Sequence, residues 1–249
     1  HPFAEPGVLV KYEGTSKMRD GKIYDDSGKE LGFAYMNNIL NMQWENLSDT
    51  RVRVLITKSL FSHSSNISPE PILVENPLEG CPIEGNLVGD LWKFTLVEGE
   101  PTEEQQERLD AVERAAYSDY LMYPVKPMAI GDTYDIPGDV LSVGLDPEAI
   151  ILDEPTGTLT LLDVVDYEGT RCAKIELVTD MHLQYIDEQG SRIFKVTETS
   201  IIYRTLDTFI ELYEEENSQM EIRFQYDWGY VRQVGTTQGG AQSQLIEAA

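Results

Sequence analysis

Histidine and cysteine are scarce in this sequence, with 3 and 2 among 249 residues, and each shortage closes off a class of chemistry. A Ser-His-Asp triad or a histidine-based metal site has only His1, His63 and His182 to draw on. His63 lies among Ser62, Ser64 and Ser65, which read as a polar surface loop. His182 lies between Met181 and Leu183 and reads as a structural residue of a strand. Cys81 and Cys172 lack CxxC spacing, so they make no zinc site. They allow one long-range disulfide, closed only in an oxidising compartment. Basic residues are also few: 19 Lys and Arg against 44 Asp and Glu leave a net charge of −25. A surface of that sign repels phosphate backbones, so nucleic acid is not an expected partner. Apolar runs are short, as at Ala149 to Leu152, far below the ~20 residues of a membrane helix. No transmembrane segment is expected. G-x-S-x-G, H-E-x-x-H, Walker and G-x-G-x-x-G motifs are all missing. The reading therefore assigns no catalytic residue and no cofactor, and leans away from an enzyme.

What is present is alternation. Ile222, Phe224, Tyr226 and Trp228 fall on one face of an extended segment, and Glu221, Arg223, Gln225 and Asp227 on the other. Successive strand side chains point to opposite faces, so this is a half-buried strand. The same period recurs at Val52, Val54 and Ile56 and at Trp92, Phe94 and Leu96. Turn sequences at Asp26-Ser27-Gly28-Lys29, Tyr167-Glu168-Gly169-Thr170 and Asp187-Glu188-Gln189-Gly190 join strands as hairpins. Residues 157–234 read as an antiparallel meander. One helix is well specified. Thr102 and Gln105 form a capping-box pattern, and Leu109, Val112, Ala116 and Tyr120 recur at helical spacing. This predicts an amphipathic helix over 103–121, with a shorter helical turn over Gly138 to Val143.

The fold class is therefore mainly β, α+β at most: large antiparallel sheets or a curved half-barrel with one prominent helix. The expected organisation is a β-rich lobe over 1–100, the helix and a Pro/Gly-rich connector over 101–136, a β meander over 137–234 and a mobile Gly/Gln/Ser tail over 235–249. The lobes are compatible with a single domain. Tyr12-Glu13-Gly14-Thr15 returns as Tyr167-Glu168-Gly169-Thr170, which is either a diverged duplication or a coincidence.

Three functional readings follow. Trp44, Trp92 and Trp228 each lie in an alternating segment and are candidates to line an apolar pocket on a curved sheet. The leading reading is thus a non-enzymatic exported protein that binds a small apolar molecule or a protein partner. Acidic residues converging in a cleft would instead make a hydrolase. A metal-dependent adhesion or scaffold protein is the third reading. It draws on Asp25, Asp26 and Glu30 at a hairpin tip, or on the amine and imidazole of His1 joined by His63 or His182. Neither set is complete, so no metal is assigned.

The segment Tyr123-Pro124-Val125-Lys126-Pro127-Met128-Ala129-Ile130-Gly131-Asp132-Thr133-Tyr134 resembles the P-x-K-P-V-x-x-G-D-x-W segment of uncharacterised bacterial extracytoplasmic β-rich proteins. Met128 and Tyr134 replace the usual Val and Trp. The resemblance extends over roughly residues 85–180. It implies export to the periplasm, the surface or the medium, and a start at His1 fits a removed signal peptide or a trimmed tag. It carries over no activity and no functional residue.

Overall fold

A computed structural model describes residues 6–67, 70–89, 91–187, 190–226 and 229–247. Strands hold 68% of the described residues. The N-terminal half contributes β1 (Val8–Asp25), β2 (Glu30–Ser48), β3 (Arg51–Ser65), β4 (Ile72–Glu75), β5 (Pro82–Val88) and β6 (Leu91–Leu96). Then come α1 (Glu103–Met122), β7 (Thr133–Ile136) and α2 (Gly138–Val143). The C-terminal half is β8 (Ile150–Tyr167), β9 (Thr170–Asp187), β10 (Gly190–Thr205), β11 (Glu211–Tyr226) and β12 (Gly229–Glu247).

All twelve strands belong to one antiparallel sheet that does not close into a barrel. Its order is β6-β5-β3-β2-β1-β12-β11-β10-β9-β8-β7, with β4 paired to β3. Two meanders thus meet where the first strand pairs the last, along a register from Val8 opposite Glu247 to Asp25 opposite Val231. The edges, β6 and β7, are the strands that flank α1 in sequence. Ten strand spacings hold flat edges about 48 Å apart, whereas twenty residues of helix span about 30 Å. α1 nevertheless touches β6 at one edge and α2, which in turn touches β8, the strand next to the other edge. The connection crosses one face of the sheet, and the sheet curls around it.

α1 starts where the sequence says it should. Thr102 Oγ1 accepts from the Gln105 backbone N–H, and Gln105 Oε1 accepts from the Thr102 N–H. The Glu113 carboxylate ties the helix to β6 by accepting from the Phe94 N–H at 2.9 Å and from Lys93 Nζ at 2.5 Å. Leu109 inserts into a cluster of Val52, Ile56, Leu78, Ile83, Trp92 and Phe94. A second cluster, Ile136, Leu141, Leu159, Ile175 and Ile202, sits under α2. A third joins Val10, Cys172, Ile210 and Leu212. The core is split into patches along the concave face. The chain accordingly exposes 14516 Å², where a compact protein of its 28.1 kDa exposes about 11,000 Å².

Two expectations are corrected, and two features left open by the sequence take a definite form. Residues 235–247, expected as a mobile tail, belong to β12 near the middle of the sheet. Their small residues are there for close packing. A Cβ on Gly235 would meet Met18 Sδ at 2.6 Å, one on Gly239 would meet the Thr15 carbonyl at 2.7 Å, and the Thr237 and Ser218 hydroxyls bond each other. The serine-rich stretch around His63 is β3 rather than a loop; its hydroxyl residues alternate along a strand paired with β2. The repeated tetrapeptide adopts two structures. Gly14 is mid-strand in β1, whereas Glu168 and Gly169 form the β8–β9 turn with φ of 51° and 82°, so the two copies are not structurally equivalent. Finally, Cys81 and Cys172 are free thiols. Cys172 lies in the third cluster, and Cys81 beside the Pro77 carbonyl and Gln105.

Candidate functional site

Side chains of one parity along each strand face α1. On β2 and β3 these include Met42 and Trp44, opposite Ile56 and Val54. On β6 they are Trp92 and Phe94, whose rings stack at 6.3 Å. Leu109 plugs one end of this wall, and two turns further along α1 Ala116 packs against it with only a methyl group. The result is a cavity of about 420 Å³ between α1 and the sheet. Trp44, Trp92, Phe94, Met42, Val52 and Val54 form its floor, and Val112, Ala116, Tyr117 and Tyr120 its roof. That volume lies within the roughly 300–1,000 Å³ range of small-molecule sites.

One end of the cavity is polar. Asp119 of α1, Arg204 at the end of β10 and Glu211 at the start of β11 all reach it. Arg204 is held in place: Nε donates to the Phe209 carbonyl at 2.8 Å, and the guanidinium lies 3.6 Å from the Tyr123 ring centroid. Nη1 stands 3.6 Å from Glu211 Oε1, which accepts from the Tyr123 hydroxyl at 2.6 Å. Phe209 lines the cavity with φ of 56°, a left-handed conformation that costs a non-glycine residue about 1–2 kcal/mol. Strain of this kind concentrates at functional sites. Asp119 lines the cavity where it opens to solvent and is itself exposed. Loss of solvent, and then Glu211, push its carboxyl up to about 6, against the pull of Arg204. The same two causes, in the same order, push the Tyr123 hydroxyl well above its ordinary value.

A second acidic group lies further along the concave face. Glu198, Glu214 and Glu216 share it with Ser200 and Ser218, the last two opposite Glu216 and Glu198. Burial, then Glu216 and Glu214, raise the Glu198 carboxyl to about 7. Burial also heads the causes that raise Glu214 and Glu216.

Of the tryptophans singled out in the sequence, Trp44 and Trp92 meet in the cavity wall. Trp228 lies outside the described residues, as does His1. His63 faces the centre of the sheet, its Nε2 3.0 Å from Gln233 Oε1. Asp25 and Asp26 are spent on the hairpin. Asp25 Oδ1 accepts from the Ser27 N–H at 2.9 Å, the Ser27 hydroxyl at 2.6 Å and the Lys29 N–H at 3.0 Å, and Asp26 Oδ1 accepts from the Tyr230 N–H at 3.0 Å. Among the described residues no three His, Cys, Asp or Glu side chains gather to hold a metal. Sequence reasoning missed Asp119, Arg204, Glu211 and Phe209. One signal was available: an Asp in the last turn of a helix faces the negative end of its dipole.

Among solved structures the fold is similar to lipovitellin, with a TM-score of 0.50 at 8% identity, over 98% of this chain and 26% of the lipovitellin chain. The chain therefore spans about a quarter of lipovitellin's length, and the likeness is one of fold. An outer membrane channel from Pseudomonas putida F1 aligns over 98% of this chain and 97% of its own, at 9% identity and a TM-score of 0.20, too low to carry a structural argument. The sequence matches no protein-family profile and no curated protein.

Proposed function

We propose that this protein binds a small apolar molecule in the cavity between α1 and the curved sheet. The observation that carries the reading is an aromatic-lined space of about 420 Å³ left unfilled by the chain itself. Protein interiors are close-packed, and an empty apolar volume costs stability in proportion to its size. A fold selected for stability alone would close this space with a larger residue than Ala116. The split core and the surplus of exposed surface point the same way. So does the likeness in fold to lipovitellin, described for its lipid–protein interactions. The polar groups are confined to one end, which suits a binding site that orients its ligand better than a hydrolase cleft. Glu211 is engaged by Tyr123 and Arg204, so Asp119 has no free carboxylate beside it at the cavity end.

The test is a titration with a neutral apolar fluorophore whose emission rises on leaving water. The wild-type chain should bind it saturably, and Ala116→Trp should abolish the signal while leaving the β-type circular dichroism intact. Undiminished binding by Ala116→Trp would place the site elsewhere. Export, which the sequence resemblance implies, belongs to the same proposal and is checked by fractionating cells that make the full-length product.

A further inference from the structure

Arg204 carries a donor that no other group of the chain receives. The turn after β10 fixes the side chain. The Thr205 N–H donates to the Ile210 carbonyl at 2.9 Å, and the Ile210 N–H donates to Thr205 Oγ1 at 2.8 Å. Between them Phe209 sits at φ 56° with its carbonyl 2.8 Å from Arg204 Nε. The Tyr123 ring covers one face of the guanidinium. Arg204 is only 9% exposed, yet it lines the cavity. Its Nη1 is buried without a hydrogen-bond partner. Glu211 Oε1 stands 3.6 Å away, an ion pair too long for a hydrogen bond, and that oxygen accepts from the Tyr123 hydroxyl at 2.6 Å instead. A charged donor left unmet in the interior costs free energy. The fold carries that cost in addition to the strain at Phe209.

What this end of the cavity lacks is an acceptor, and charge decides which acceptor fits. An ammonium head has donors only and would face a guanidinium. A carboxylate or phosphate head would accept, but Glu211 already balances the Arg204 charge. A second anion against an apolar wall would be repelled by the first. Asp119, exposed at the mouth, adds to that repulsion, and the net charge of −25 opposes the approach of any anion. The carbonyl oxygen of an ester, ketone or amide accepts a hydrogen bond and brings no charge. Bonded to a guanidinium, it makes a charge-assisted contact. Binding would then be orientated: the apolar body against Trp44, Trp92 and Phe94, the carbonyl toward the end of β10.

We propose that the cavity selects apolar molecules with an uncharged acceptor head, such as an ester carbonyl, and that Arg204 is the residue that receives it. This rests on the cavity being a ligand site. The test is displacement of the neutral fluorophore by octane, methyl octanoate and octanoate at physiological salt. It uses the wild-type chain, Glu211→Gln, and the double variant Arg204→Met/Glu211→Gln. The double variant removes both charges together, so neither is left buried without its partner. Methyl octanoate should bind the wild type at least about tenfold more tightly than octanoate, a gap of one decade in Kd. The double variant should weaken methyl octanoate by at least about tenfold, the loss of a hydrogen bond to a charged group, and should leave octane unchanged. Glu211→Gln should keep the ester and strengthen octanoate by about tenfold, since the anion it meets is gone. Octanoate binding the wild type as tightly as the ester would overturn the proposal, as would octanoate binding that Glu211→Gln does not improve, or ester binding that survives the double variant. A loss shared equally by octane would also overturn it, because Arg204 would then hold the shape of the cavity rather than receive a head group. Should the double variant fail to fold, the octanoate measurements decide alone. In each case octane binding that Ala116→Trp abolishes leaves the apolar site standing. Failure of all three probes would remove the cavity reading and this inference with it.

Discussion

Glu198 gives the clearest quantitative test of the polar belt on the concave face. Its carboxyl is raised from 4.5 to about 7 by loss of solvent and then by Glu216 and Glu214. An acid whose folded pKa lies above its unfolded value binds more protons in the native state. Stability is therefore full below about pH 4.5 and falls as the pH rises toward 7. Each tenfold change in proton affinity is worth about 1.36 kcal/mol, so ionising Glu198 in the folded chain costs up to about 3 kcal/mol. Glu198→Gln keeps the shape and removes the charge. Urea denaturation should show the variant more stable than the wild type by about 2–3 kcal/mol at pH 8, with the difference gone at pH 4. The midpoint should move at constant slope, since no extra surface is exposed. Equal stability at pH 8, or a gain that persists at pH 4, would refute the reasoning, because neither follows from a carboxylate confined with two others.

Three further outcomes follow from the same structure. Arg204→Met removes the one cation that lines the cavity among the described residues and should destabilise the fold by about 3–5 kcal/mol; the loss in urea should be larger at pH 8 than at pH 5, where Asp119, at about 6, is protonated. Trp92→Ala deletes one of the two tryptophans of the cavity floor and should cost about 3 kcal/mol by chemical denaturation. Glu168→Gly relieves an exposed residue at φ 51° and should raise stability by about 1 kcal/mol, seen as a higher melting temperature with unchanged probe binding.

The strands were legible because each buries one parity of side chains. Ile222 is buried and Arg223 exposed, as their alternation requires, and the Thr102–Gln105 box fixed the start of α1. What misled was composition. Gly235, Gly239 and Gly240 read as a flexible tail, yet small residues are what a crowded central strand needs where Met18 and Thr15 approach. Ser62 to Ser65 read as a loop for a related reason: hydroxyls on a half-exposed strand look like hydroxyls in a turn. Trp44 and Trp92 were found because the chain has only 3 tryptophans and each lies in an alternating segment. The polar end of the cavity was not, since Asp119, Arg204 and Glu211 converge from α1, β10 and β11, and no local pattern in a chain with 44 acidic residues sets two of them apart. Glu214 and Glu216 were within reach, because they share the parity of Ile222 and Phe224 on β11.

Calorimetry of dodecanol binding over a range of temperatures addresses the cavity most directly. Transfer of an alkyl chain into the space beneath α1 predicts a saturable one-to-one isotherm with a negative heat-capacity change, present in the wild type and missing in Ala116→Trp. An isotherm of the same size in both proteins, or none in either, would contradict it.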